Sequence, residues 1–284
     1  MSQKIQKVAI VTDGASSLTP VQGLEYGVHV APVYANFPDK SYLAGVDLEA
    51  SEFYRLLRAS AKLPTTAQPT AQDFINLYTN LARQAEAIVT VVISHHMSAT
   101  LDSALAAQKQ FSEVPVHIID SHSVSLGLAL QALAAARAAA DGQNADQVIR
   151  LIEDIRSKMN VLFTVDTLEY LHKGGRIGGA TGFLGSALSI KPILYIKDGR
   201  IEPLERQRTR KRALARLLEL VEERAGSSEI HAAILHCDVP EEALEFGEQI
   251  KTCCHCAELI TMDAGPVIGT HAGPGTLGVA FYTL

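Results

Sequence analysis

Short, almost wholly apolar runs alternate with longer amphipathic ones through the first half of the chain. "KVAIVTD", "GVHVAPVYANF", "AIVTVVIS" and "VPVHIID" are rich in β-branched residues and read as strands. "AQDFINLYTNLARQAEA" and "ATLDSALAAQKQF" carry the apolar spacing of helices. Strands that are apolar on both faces and separated by helices predict a parallel sheet covered on both sides. Two further helices, "SLGLALQALAAARAAA" and "NADQVIRLIEDIRSKM", come next, and then the texture changes. "VLFTVD", "KPILYIKDGRIEPLERQR" with an Asp198-Gly199 hairpin turn, "EIHAAILHC", "AELITMDAG" and "LGVAFYTL" make a second strand set with fewer helices, which predicts a partly antiparallel sheet. The expected architecture is α/β throughout. Residues 1–160 form an N-terminal domain with a mainly parallel sheet flanked by helices, and 161–284 a smaller α/β domain with a partly antiparallel sheet.

A chain of 284 residues, 47% hydrophobic and 20% charged, has material for two such domains. A net charge of -6 gives no general attraction to nucleic acid or anionic lipid. The start, "MSQKIQKVAIVTDG", has no apolar signal region, and the longest alanine- and leucine-rich run is interrupted by Arg137, so stable membrane insertion is not expected and a cytoplasmic location is. Of the four cysteines, Cys253, Cys254 and Cys256 crowd into "CCHC". Zinc ligand pairs are usually two to four residues apart and adjacent side chains diverge, so these residues are expected to end a helix and begin a strand rather than hold a metal.

In open parallel sheets ligands bind beyond the carboxyl ends of the strands. Here those ends carry Asp13-Gly14-Ala15-Ser16-Ser17, then Ser94 through Thr100, then Asp120-Ser121-His122-Ser123. Hydroxyls ahead of a helix, such as Ser98 and Thr100, either cap it or help its free amides to hold an anion. Thr65 and Thr66 in "LPTTAQPT" pose the same choice in a stiff loop. "LHKGGRIGGATGFLGSALSIKP" places Lys173 and Arg176 among glycines that could cradle phosphate, but neither GxxxxGK[ST] nor GxGxxG is present, so no nucleotide cofactor is indicated. In "GPVIGTHAGPGTLGVAFY", glycines and prolines surround Thr270 and His271, either to fix one imidazole in a site or to make a tight turn before a terminal strand.

Taken in order, "VAIVTDGASSL", "TAQPT", "ISHHMSATLDSA", "IIDSHSVSLGLAL", "LEYLHKGGRIGG", "KPILYIKDGRI" with "RQRTRKRAL", and "GPVIGTHAGPGTLGVAFY" resemble the DegV family of bacterial fatty-acid-binding proteins, the lipid-carrying subunits of fatty acid kinase. The resemblance runs nearly end to end. It implies a two-domain DegV-like fold that buries a long-chain fatty acid between its domains. Thr66, Ser98 and His271 would contact the carboxylate, with Arg176 close to His271 and with Ser94 and Thr270 in support. It also implies a separate ATP-dependent kinase that phosphorylates the bound acid, the acyl phosphate feeding phospholipid synthesis. Arg206, Arg208, Arg210 and Lys211 would meet that kinase. The chain itself would be a substrate carrier without catalytic residues of its own. The alternative is a stand-alone acyl hydrolase or transferase using Ser98 and His271, although no GxSxG elbow is present. The chain departs from the family pattern at Gly14, Ala67, His95, His96 and Ala99, which bears on the pocket mouth and the choice of acyl chain.

Overall fold

The computed structural model describes residues 6–184 and 190–283. The expected parallel sheet is present. It has four strands in the order Val28–Ala31, Gln6–Asp13, Ala85–Val92, Val116–Asp120, all parallel. The two central strands are apolar on both faces because helices cover both. "GVHVAPVYANF" does not form one strand. Pro32 has no N–H to continue a ladder, and the chain leaves the parallel sheet there to form Tyr34–Asn36. That strand is the centre of a small antiparallel sheet, between Ser41–Leu43 and Thr65–Ala67. Thr65 and Thr66 therefore lie on a short strand, not in a loop.

The second sheet has six strands in the order Arg200–Gln207, Lys191–Lys197, Asn160–Thr164, Leu277–Thr283, Ile230–His236, Cys256–Asp263. All neighbours are antiparallel except the last pair. The first hairpin turns at Asp198 and Gly199, both left-handed at φ 48° and 76°, as a tight two-residue connection requires. Cys253 ends the helix Pro240–Cys253 and Cys256 begins the last strand, as the sequence predicts.

The helix Leu126–Ala140 explains its own composition. It packs on Gln6–Asp13 of the first sheet and on Ile230–His236 and Leu277–Thr283 of the second, so nearly all its residues are buried and no polar stripe is needed. Gln131, fully buried, donates through Nε2 to the carbonyls of Ser121 and Gly127, while its Oε1 has no hydrogen-bond partner among the described residues. A single hydrophobic cluster runs from Ile10 and Val89 through Leu128 and Leu133 to Leu235 and Tyr282. The amphipathic helix Ala145–Lys158 is followed after one residue by Asn160–Thr164, a strand of the second sheet. Among the described residues no helix is long and apolar enough to cross a membrane.

Candidate functional site

A cavity of about 1000 Å³, including its mouth, opens where the carboxyl ends of the parallel strands face the second sheet. Leu126, Val161, Leu162, Ile196 and Leu235 supply its aliphatic wall, and Thr66, Ser98, Arg176 and His271 its principal polar groups. Four segments far apart in sequence thus converge on one space.

His271 sits on the last turn of a helix, Pro266–Ala272, and not in the tight turn that its glycines and prolines suggest. Pro266 suits a first helical position, where its missing N–H costs nothing. The glycines act by absence of a side chain. A β-carbon on Gly269 would run into Phe53 and Tyr54, and one on Gly174 would collide with His271 Nδ1. The helix is thereby pressed against Ala50–Ala59, and the imidazole is held between that packing and the 174 backbone. Its Nε2 lies 2.8 Å from Thr66 Oγ1, while Nδ1 is buried without a hydrogen-bond partner among the described residues. Burial, and secondly the Arg176 charge, push the His271 pKa down to about 4. At neutral pH the imidazole is uncharged, able to donate one N–H and accept at the other nitrogen.

Arg176 is braced by the backbone: Nε donates to Met97 O at 3.1 Å and Nη1 to Gly174 O at 2.8 Å. Those bonds tie the glycine-rich loop to the loop that carries Ser98. Gly185 of the quoted basic segment lies outside the described residues. Ser98 Oγ is 2.8 Å from Thr100 Oγ1 and accepts the Thr100 N–H at 3.3 Å, while the helix Thr100–Gln110 starts after Ala99 without a side-chain cap.

Ser94 and Thr270 are buried but do not line the cavity. Ser94 Oγ accepts the His96 N–H at 3.2 Å, beneath Gly199 of the hairpin. Thr270 Oγ1 donates to the Pro266 carbonyl of its own helix at 2.7 Å. The basic segment is divided. Arg206 is the penultimate residue of the strand Arg200–Gln207, with its guanidinium 4.2 Å from the Phe183 ring, and Arg208 and Lys211 are exposed. Arg210, in contrast, is bound to Glu242 at 2.7 Å and joins two helices. Thr209 caps the helix that follows, so only Arg210 and Lys211 of the four belong to a helix start.

Asp13 was not among the residues singled out for the ligand, yet it lines the cavity and is fully buried. Its two oxygens accept the N–H groups of Ala15 and Ile93, each at 2.8 Å, which joins the ends of the two central parallel strands. Burial pushes its pKa up to about 6 against those two bonds. Its position at the carboxyl end of the first strand was the available signal.

The family model described as "Uncharacterised protein, DegV family" matches residues 7–284. The chain belongs to the DegV family. A DegV domain-containing protein of Halalkalibacterium halodurans is 35% identical over 97% of this chain and 98% of its own length. Among solved structures, a DegV family protein from Thermus thermophilus, described by its fatty-acid binding, has a TM-score of 0.92 and 32% identity, with 98% of this chain and 100% of that one covered. DegV from Bacillus subtilis, described as a fatty-acid-binding protein, has a TM-score of 0.88 at 30% identity, with the same coverage. The mixed fold, a parallel sheet beside a mostly antiparallel one, is the DegV fold.

Proposed function

We propose that this DegV protein binds a long-chain fatty acid, its carboxylate at Thr66, Ser98, His271 and Arg176 and its tail along the aliphatic wall. The observation that carries this reading is one cavity that joins that wall to the Thr66–His271 pair beside a braced guanidinium. A buried carboxylate needs hydrogen bonds or a paired charge, and these four side chains supply both. Each buried CH₂ of the tail adds roughly 0.8 kcal/mol. The fatty-acid binding described for the Thermus thermophilus and Bacillus subtilis relatives supports the same ligand class.

The protein acts as a carrier in this reading. A separate ATP-dependent fatty acid kinase phosphorylates the presented carboxylate, and the acyl phosphate enters phospholipid synthesis. Arg206, Arg208 and Lys211 form the docking surface, while Arg210 supports it through Glu242. A hydrolytic role finds less support, because Ser98 Oγ is engaged with Thr100 and His271 Nε2 with Thr66. Mass spectrometry of organic extracts of the purified protein should return about one long-chain fatty acid per chain. Delipidated protein that takes up neither free acid nor a fluorescent analogue would overturn the proposal. Equal affinity for the acid and its methyl ester would remove the carboxylate assignment.

A further inference from the structure

A second group of chemically capable side chains lies at the same edge of the parallel sheet but outside the cavity lining. His95 follows the strand Ala85–Val92, Asp120 ends Val116–Asp120, and His122 comes two residues later. One ligand atom from each lies within 4.8 Å of the other two. Both imidazoles face one carboxylate oxygen: Asp120 Oδ2 is 2.5 Å from His95 Nδ1 and 3.9 Å from His122 Nε2. That oxygen is aimed by its surroundings. The other carboxylate oxygen accepts the His122 N–H at 2.8 Å, and the Asp120 carbonyl accepts from Arg156 at 2.9 Å. The carboxylate is largely covered, while both imidazoles are half-exposed.

We propose that His95, Asp120 and His122 bind one divalent first-row transition-metal ion of the Zn²⁺ type. Two imidazole nitrogens and one carboxylate oxygen are the ligand set such ions accept at about 2.0–2.2 Å. The observed spacing needs one adjustment. The His95–Asp120 hydrogen bond gives way to the metal: the proton that Nδ1 donates to Asp120 is released to solvent or, in the neutral ring, replaced by one on Nε2, Nδ1 then offers its lone pair, and a small rotation of the half-exposed ring opens the gap. His122 has the left-handed φ of 49°, a conformation that histidine tolerates better than most side chains, and this sets its ring on the Asp120 side. His96 is not counted as a ligand, because its Nδ1 is taken by Arg200 at 3.0 Å. Three protein ligands leave the remaining positions to water. Bound metal would pin the ends of two neighbouring strands together, beside the loop that leads to Met97 and Ser98. This site does not depend on the fatty-acid reading.

The test is titration of the intact protein with Zn²⁺ by calorimetry and with Co²⁺ by visible absorption. We expect one site per chain. The cobalt spectrum should show d–d bands without a sulfur-to-cobalt charge-transfer band, which separates this site from Cys253, Cys254 and Cys256. His95→Ala and His122→Asn, the latter chosen because asparagine also accepts the left-handed backbone, should each weaken binding about tenfold or more while circular dichroism stays unchanged. No binding by the wild-type chain, a thiolate band, or undiminished affinity in both variants would each overturn the site.

Discussion

The wall of the cavity and its polar end are built to different rules. Leu126, Val161 and Leu235 line the space but also belong to the main hydrophobic cluster of the protein, so the wall is ordinary core with one face left open. At the polar end, Thr66, Ser98, Arg176 and His271 contribute little to that core, and one buried nitrogen of His271 is without a hydrogen-bond partner among the described residues. The wall is therefore coupled to folding, whereas the polar end, in the proposed reading, is kept for the ligand's head group. Substitutions should separate the two.

The largest effect is expected at the wall. Leu126→Ala should lower unfolding stability by about 2–5 kcal/mol, the usual range for a buried leucine truncated in a packed core, and weaken lipid binding along with it. Urea denaturation checks this, and a loss below about 1 kcal/mol would mean that the wall is not core.

Next in size are two opposed proton linkages near the polar end. As pH falls from about 6.5 to 4, unfolded chains take up a proton on His271 that the folded protein refuses, so stability drops. As pH falls from about 6 to 3.8, folded protein holds a proton on Asp13 that unfolded chains lack, so stability rises. Each amounts to at most roughly 3 kcal/mol, and in the wild type they offset one another. His271→Gln should leave the Asp13 contribution uncovered, making the variant gain on the wild type as pH falls from 6 to 4. Identical pH profiles of unfolding for the two proteins would contradict this.

At neutral pH the same end should govern ligand affinity. His271→Ala, or Thr66→Val with Ser98→Ala, is expected to weaken fatty-acid binding by about 1.5–3 kcal/mol, the cost of losing a hydrogen bond to a charged group. Fluorescent fatty-acid displacement measures the loss and thermal melting confirms that folding is kept. If affinity and melting temperature fall together, the comparison between end and wall fails.

The smallest effect is expected from a surface that belongs to neither. Arg206→Glu with Arg208→Glu should slow kinase-dependent phosphorylation of the bound acid a few-fold at low salt and less at high salt, because exposed charges act mainly on association rate. Fatty-acid affinity should stay as it was. A parallel loss of both would place these residues in the pocket.

Much of the fold was legible because its signals are local. "AIVTVVIS" is continuously apolar where a strand is covered on both faces, and "NADQVIRLIEDIRSKM" shows a helical stripe behind an asparagine cap. What escaped was decided by partners. Thr65–Ala67 is a strand only because Tyr34–Asn36 offers a ladder, and the helix Pro266–Ala272 is held by packing against Ala50–Ala59, itself not foreseen. The site divides similarly. The carboxyl-end rule pointed to the hydroxyls after each strand, but nothing local joins Thr66 to His271 across 205 residues, and that pairing came only from the family resemblance. Asp13 was passed over because its burial depends on the Ile93 backbone, which no pattern near residue 13 reveals.

The helix Leu126–Ala140 has a consequence for how the two halves can be handled and inherited. It precedes every strand of the second sheet in the chain, yet its oily surface serves both sheets, with Leu128, Leu130 and Leu133 all buried. A polypeptide cut after residue 159 would keep the helix but bare the side that meets Ile230–His236 and Leu277–Thr283. The remaining piece would lose the cover of one sheet face. Neither half is thus a module that can be shuffled on its own, and the first, expressed alone, should bind a hydrophobic dye and aggregate where the whole chain stays monodisperse.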